Sequence, residues 1–369
     1  MARICFLTER MLTGWGVDQV VHQVASGLAR LGHTVDVLCL KADQTLAVGA
    51  DYRLRVLDAP WDPADTLEDR IVARGGMLRQ RRCDMFIANL YPFFGVADRL
   101  GLPFLYYEYG VVDPQGQEPR LQRLLERIRA SAPRHQRRAR RVVAISEFLK
   151  QEQVTPDRHG DTDVVYCGAD SYGPPPPPPV VAACRRELGL AADAEVIGYV
   201  GRIEANTYKR VEDLVAIAGE VRRRRPLVQL LLVGHASEEA IALFGRQPGV
   251  VLRPNARANE MAALYAAMDV VASASVWEGF NLPLAEAQYL ARPVVAYRLA
   301  AHPEVVGPSG ALVRDQHEFA EALLGLLADP DARRRRGTEA AAWAQRFTWA
   351  ATVANLAASL ERAGVPAPR

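Results

Sequence analysis

Cysteine is scarce and scattered. The five residues, Cys5, Cys39, Cys83, Cys167 and Cys184, lie far apart, and no C-x-x-C pair occurs. Such an odd, dispersed set argues against a disulfide framework or a zinc knuckle and predicts reduced thiols in a cytosolic protein. Net charge is small as well: 45 basic residues against 43 acidic ones leave +2. No basic–aromatic pattern accompanies it, so nucleic acid is not an expected partner. No apolar run reaches spanning length, and Met1 to Leu7 lacks the apolar stretch of a signal peptide. The expectation is a soluble protein, or one that touches a membrane only at its periphery. A glycine is missing too. Strand Arg3 to Leu7, the Gly14-Trp-Gly16 loop and the helix after it have a dinucleotide-binding outline, but Gln19 stands where G-x-G-x-x-G needs its third glycine. A hydride-transferring Rossmann domain is therefore disfavoured.

What is present is a long chain with two runs of alternating strand and helix patterns. At 369 residues and 49% hydrophobic composition it suggests two domains, each with its own core. The first holds strand candidates at 3–7, 35–40, 85–89, 103–107, 142–145 and 164–167. The second holds them at 196–200, 227–233, 250–252 and 269–274. Strands alternating with helices predict an α/β fold of doubly wound parallel sheets, with ligands at the strand carboxyl ends. Between them Pro174 to Pro179 has no amide donors and predicts an extended spacer. The boundaries read 1–170 for an N-terminal Rossmann-like domain, 171–183 for a Pro-rich linker, 184–345 for a C-terminal one, and 346–369 for a last helix.

The most informative stretch is Glu278-Gly-Phe-Asn-Leu-Pro-Leu-Ala-Glu286. It follows the apolar run Asp269 to Ala274 and runs into a helix, with Asn281 as N-cap and Pro283 in the first turn. Glu278 then lies in the strand-to-helix loop and Glu286 one turn into the helix. The amides of Gly279, Phe280, Asn281 and Leu282 fall near the positive end of the helix dipole, a place for an anion or an oxygen-rich group. Two flanking carboxylates suit a polyol, because each accepts hydrogen bonds from neighbouring hydroxyls. Arg202 and Lys209 lie beyond the carboxyl end of strand 196–200, where cations would hold a diphosphate and the charge that develops as it leaves.

Glu-x7-Glu around GFxLPxxE, followed by Arg292-Pro-Val-Val-Ala-Tyr297 and His302-Pro-Glu-Val-Val-Gly307, resembles retaining glycosyltransferase family 4, of the GT-B fold. The resemblance implies two Rossmann-like domains facing a cleft, the donor in the second and the acceptor in the first, with the last helix crossing back. It implies that Glu278 and the amides of 279–282 hold the donor sugar, that Glu286 takes the ribose hydroxyls, and that Arg202 and Lys209 are the donor-phosphate pair. Gly16 matches the second member of the family's Gly-Gly loop near the donor phosphates; Trp15 replaces the first. Where relatives often place an active-site histidine this chain has Tyr106-Tyr-Glu-Tyr-Gly110, which leaves Glu108 or Tyr109 to face the acceptor, against an ordinary strand end. The family generally needs neither metal nor cofactor.

Three features stay open on the residues alone. Asp161-Thr-Asp163 has the form of a metal-binding D-x-D motif, against a loop of two solvated acids. His235 and His302 stand beside strand ends, near a ligand or as polar surface, and neither is assigned a role. The arginine-dense segment 120–141 carries Leu121, Leu124, Leu125 and Ile128 on one face and reads as a surface helix or as a peripheral contact with an anionic membrane. The expected function is retaining transfer of a hexose-type sugar from a GDP- or UDP-sugar to a glycan, lipid-linked or small-molecule acceptor, in bacterial polysaccharide or glycoconjugate synthesis. The expected location is cytoplasmic, with the inner membrane face as a candidate site. A nucleotide-sugar epimerase of GT-B-like fold is the alternative; it would need no acceptor.

Overall fold

A computed structural model describes residues 1–57, 67–115 and 117–367. The chain divides into two compact units, Met1–Cys167 with Trp349–Arg369, and Gly168–Thr348. The first unit is built on β1 (Arg3–Met11), β2 (Thr34–Ala42), β3 (Arg53–Val56), β4 (Met85–Asn89), β5 (Phe104–Glu108), β6 (Arg141–Ala144) and β7 (Thr162–Val164). They lie in the order β3-β2-β1-β4-β5-β6-β7, and every pairing is parallel. The central strand reads as an unbroken apolar run because both sheet faces are covered: Ile4, Cys5, Phe6 and Leu7 are fully buried. Helix Gly16–Arg30 turns Val20, Val21, Val24 and Leu28 inward and stops at Gly32, whose φ of 96° suits a residue without a Cβ. The tail helix Trp349–Arg362 belongs to this unit. It packs on Gly27 of the first helix, where a Cβ would stand 2.3 Å from Val353, and Thr352 donates to the Tyr166 carbonyl at 2.8 Å.

The second unit carries β8 (Glu195–Val200), β9 (Val228–Gly234), β10 (Val250–Pro254), β11 (Val270–Ser273), β12 (Val294–Tyr297) and β13 (Ala311–Val313). Their order is β10-β9-β8-β11-β12-β13, again all parallel. One core packs Ile197, Leu230 and Leu232 of the sheet against Leu214 and Ile217 of helix Val211–Arg224. The strand order reverses between β8 and β11, and a crevice at such a reversal is where open α/β sheets bind ligands.

Four expectations change. The strand expected at 164–167 lies earlier, as β7, and shares only Val164 with it. β3, β12 and β13 are strands that the apolar-run criterion did not mark. The Pro-rich linker is not a spacer over its whole length: Pro178 and Pro179 open the helix Pro178–Glu187, and the second unit starts at Gly168 rather than 184. Proline fits a first helical turn because its missing N–H has no partner there in any case. The basic segment 120–141 is a helix only over Pro119–Arg138; Arg141 starts β6.

Candidate functional site

The reversal in the second unit is occupied by the Glu278 stretch. Helix Leu282–Tyr289 follows β11, with Pro283 in its first turn. Asn281 does not cap the helix with its side chain. Its backbone is left-handed (φ 72°), a conformation asparagine tolerates better than most residues. Its Nδ2 donates to Ser273 Oγ at 3.0 Å and lies 2.9 Å from His302 Nε2. His302 Nδ1 is 2.9 Å from the Tyr297 carbonyl, which can only accept. The imidazole proton therefore sits on Nδ1, and Nε2 accepts from Asn281. His302 is thus not polar surface: it is fully buried, burial holds its pKa below the usual histidine value, and it ties the loop to the end of β12. Nearby, the Ala301 amide donates to the Glu278 carbonyl at 3.3 Å.

The Glu278 side chain is buried and accepts from Lys209 Nζ at 2.7 Å. Burial works against the lysine charge, but Glu278 together with Tyr208 and Tyr199 outweighs it and raises the ammonium above its ordinary pKa. Lys209 is brought there by the loop after β8. Tyr208 anchors that loop: its carbonyl accepts from the Val276 amide at 2.8 Å, and its ring lies 5.0 Å from Lys209 Nζ and edge-on to Trp277. Arg202 joins the cluster by donating from Nη2 to the Tyr208 hydroxyl at 3.2 Å, while Nη1 lies 3.0 Å from Glu204. Arg202 and the Lys209–Glu278 pair thus meet at the Tyr208 side chain, Arg202 at its hydroxyl and Lys209 against its ring.

Glu286, one turn into the helix, is buried and accepts from the Tyr265 hydroxyl at 2.7 Å. The Phe280 ring faces the interior, edge-on to Phe347 with centroids 5.3 Å apart, so only its backbone is available to a ligand. With Gly279, Asn281 and Leu282 it supplies amides at the helix entry, where the backbone offers no intrahelical acceptors. Sequence reasoning missed Tyr208, Tyr265 and His302. One signal could have singled out Lys209 further: only three lysines, Lys41, Lys150 and Lys209, occur among the 45 basic residues.

The first unit arranges its residues differently. Gly16 is the first residue of its helix. Beside it, buried Asp18 accepts from the Leu12 amide at 2.8 Å and faces Arg10, whose guanidinium lies over Trp15. Burial pushes the Asp18 carboxyl up to about 7 against the pull of Arg10. Glu108 and Tyr109 are 3% and 7% exposed, and both bond within their own unit. Glu108 accepts from the Gly110 amide at 2.7 Å, and burial pushes its carboxyl up to about 7. The Tyr109 hydroxyl donates to Asn89 Oδ1 at 2.9 Å, joining the ends of β4 and β5.

The acid pair at Asp161 and Asp163 is engaged by arginines. Asp163 accepts two bonds from Arg141, at 2.8 and 3.0 Å, and pairs with Arg362 of the tail helix; Asp161 lies 3.6 Å from both Arg141 and Arg158. Among the described residues no group of three or more His, Cys, Asp or Glu side chains could hold a metal ion, and no helix is long and apolar enough to cross a membrane. His235 Nδ1 lies 3.0 Å from Asn255 Oδ1, across the ends of β9 and β10. All five cysteines are free thiols.

Two parallel-sheet Rossmann-like domains, the second with two carboxylates and two cations at its sheet reversal, define a GT-B α/β protein. The family model described as Glycosyltransferase Family 4 matches residues 15–171, and the one described as Glycosyl transferases group 1 matches residues 194–329. The chain belongs to the glycosyltransferases of family 4 type. It is 32% identical over 298 residues, 74% of its length, to a D-inositol 3-phosphate glycosyltransferase of Segniliparus rotundus, of which the match covers 64%. A Corynebacterium aurimucosum relative of the same name is 25% identical over 387 residues, covering 92% of this chain and 89% of that one. Matches to other relatives span about half of their length, as with 47% for that of Nocardia farcinica. Among solved structures, HepE of Anabaena in complex with UDP and glucose superposes with a TM-score of 0.79 at 20% identity, over 98% of this chain and all of that one. Sucrose-phosphate synthase of Thermosynechococcus elongatus gives 0.77 at 21% identity, over 98% of each chain.

Proposed function

We propose that this protein transfers a hexose-type sugar from a nucleoside diphosphate sugar to a hydroxyl acceptor with retention at the anomeric carbon. The observation that carries this reading is the cluster of Arg202, Lys209 and Glu278 at the reversal between β8 and β11, beside a helix entry and Glu286. Breaking the bond to the diphosphate builds positive charge on the sugar ring and negative charge on the leaving phosphate. Arg202, Lys209 and the amides of 279–282 match the phosphate side, as preorganised electrostatic sites do. Glu278 takes donor-sugar hydroxyls and Glu286 takes ribose hydroxyls. The leaving phosphate then receives the acceptor proton on the face it vacates, so the acceptor bond forms where the phosphate bond broke. With two protein cations on the diphosphate, turnover needs no metal ion and no cofactor.

The UDP and UDP-glucose of the HepE complexes favour a UDP-sugar over a GDP-sugar here. The names of the relatives make D-inositol 3-phosphate the first acceptor to assay, ahead of glycan and lipid-linked acceptors. We place the protein in the cytoplasm, with helix Pro119–Arg138, which exposes Arg120, Arg123, Arg129, Arg134, Arg137 and Arg138, as its peripheral contact with an anionic membrane face. Liposome co-sedimentation tests that contact: equal recovery on neutral and anionic vesicles removes it.

A thermal-shift panel of UDP, GDP and ADP with their sugars tests the donor class, since ligand at 100 times its dissociation constant adds about 2.7 kcal/mol of apparent stability. An NMR assignment of the product's anomeric configuration tests retention. Inversion there, or sugar isomerised without an acceptor, overturns the proposal.

A further inference from the structure

We propose that the Lys209–Glu278 ion pair makes the site prefer intact donor over spent nucleoside diphosphate, with Glu278 as the specificity-determining residue. The inference rests on the reading of a nucleoside diphosphate sugar site given above. Lys209 Nζ and Glu278 Oε1 are 2.7 Å apart, and their side chains are only 15% and 8% exposed. In so dry a place neither charge is screened by water, and removing the partner of one leaves the other at a high cost. A phosphate that arrives at Lys209 therefore competes with Glu278 for the same ammonium and repels the carboxylate. Bare nucleoside diphosphate brings nothing to offset that repulsion. An intact donor brings sugar hydroxyls, which donate to Glu278 while Lys209 turns to the phosphate. Once the sugar has moved to the acceptor, Glu278 loses those donors and reclaims Lys209, which loosens the hold on the spent diphosphate.

The second cation sharpens the point. Arg202 is also paired, to Glu204 at 3.0 Å, but the Glu204 side chain is 32% exposed and water takes over as its partner when Arg202 turns to a phosphate. Arginine has five donors against the three of lysine, so it keeps a carboxylate more readily while it binds a phosphate. Discrimination accordingly falls on Glu278 and not on Glu204. The surroundings hold Glu278 in place for this role: its carbonyl is tied to the Ala301 amide, and Tyr208 fixes the backbone that carries Lys209.

Isothermal titration of the full chain with UDP and with UDP-glucose tests the inference, with GDP and GDP-mannose run in parallel. Glu278→Gln removes the competing charge at nearly constant shape. It should bind the bare diphosphate about tenfold tighter than the native chain, equivalent to about 1.4 kcal/mol, and bind the intact donor no tighter. Glu278→Asp, with its carboxylate drawn back by one methylene, should fall between the two and serves if the glutamine variant folds poorly. A general loss of structure weakens both ligands and cannot produce a gain for one. Native chain that binds the diphosphate, with both variants binding it no tighter, overturns the inference and leaves the donor site standing. Native chain that binds none of the four ligands overturns the donor site itself, and the inference with it.

Discussion

Glu278 and Glu108 are both buried carboxylates close to the end of a parallel strand, one in each unit. Glu278 faces an ammonium at 2.7 Å, so its charge is compensated within the site. Glu108 faces an amide and uncharged side chains, so nothing opposes desolvation strongly enough and its carboxyl is pushed up to about 7. The same contrast holds around them. The second unit ties its loop together with Arg202, Lys209, Glu278, Asn281 and His302, whereas in the first Tyr109, Asn89 and Glu108 brace strand ends against each other. A buried carboxylate is thus informative about chemistry through what it faces. One set against a cation is poised to exchange partners with a ligand, and one set against backbone amides is poised to hold a turn.

The comparison breaks most visibly in turnover. Glu278→Gln should lower turnover by about 10²-fold or more if it removes an interaction that strengthens in the transition state, while Glu108→Gln should leave kcat within about twofold. Glu286→Gln should act mainly on the donor, raising its apparent KM. Steady-state kinetics with varied donor separates the three. A Glu278→Gln enzyme at full rate, or a Glu108→Gln enzyme as crippled as it, would remove the distinction between the units.

Stability against pH gives the next largest effect, with opposite signs in the two units. In the unfolded chain the Glu108 carboxyl gives up its proton near pH 4.5, but the folded state keeps it until about 7. The unfolded state binds fewer protons over that window, so stability falls as pH rises through it, by on the order of 3 kcal/mol for Glu108. Asp18 acts in the same direction. His302 acts the other way. Its folded pKa lies below 6.5, so on acidification the unfolded chain takes up the proton first and the second unit weakens below about pH 6.5. Hydrogen exchange resolved by segment should show protection of β5 declining from pH 5 to 8 and protection around 281 and 302 rising. In Glu108→Gln the β5 decline should flatten; an unchanged decline assigns it to other groups.

Much of this was legible in the sequence, and the parts that were not have a common cause. The central strands β1, β8, β9 and β11 announce themselves as apolar runs because helices cover both faces of a parallel sheet. The edge strands do not: Arg53–Val56 alternates charge with apolar residues and is largely exposed, and Ala311–Val313 is three residues long, whereas interior β12, Val294–Tyr297, is a buried apolar run that was left unmarked. The Glu278 to Glu286 stretch was readable because residue type, spacing and its strand–loop–helix setting agree. The partner of Glu278 was not, because Lys209 lies 69 residues earlier and was read as a phosphate-binding cation rather than as one side of an ion pair. His302 was left without a role for the same reason. Its burial is decided by the end of β12 and by Asn281, neither of which a lone histidine beside a strand reveals. Glu108 and Tyr109 were candidates by position in the chain, and their bonds to Gly110 and Asn89 could not be read from it.

The smallest expected effect concerns the acid pair with the outline of a metal motif. Asp161 has a side chain 56% exposed and lies 3.6 Å from two arginines, so each contact is weak and screened by water. Exposed pairs of this kind contribute about 0–1 kcal/mol. Asp163 is 16% exposed and joins Arg141 of β6 to Arg362 of the tail helix, so Asp163→Asn should cost more, as the loss of a half-buried bridge between two elements does. Asp161→Asn should leave turnover unchanged, shift stability by less than about 0.5 kcal/mol, and leave the enzyme insensitive to EDTA. Turnover abolished by Asp161→Asn, or by EDTA and restored with manganese, would make the pair a metal site, and Arg202 and Lys209 would then no longer account for the charge on the leaving diphosphate.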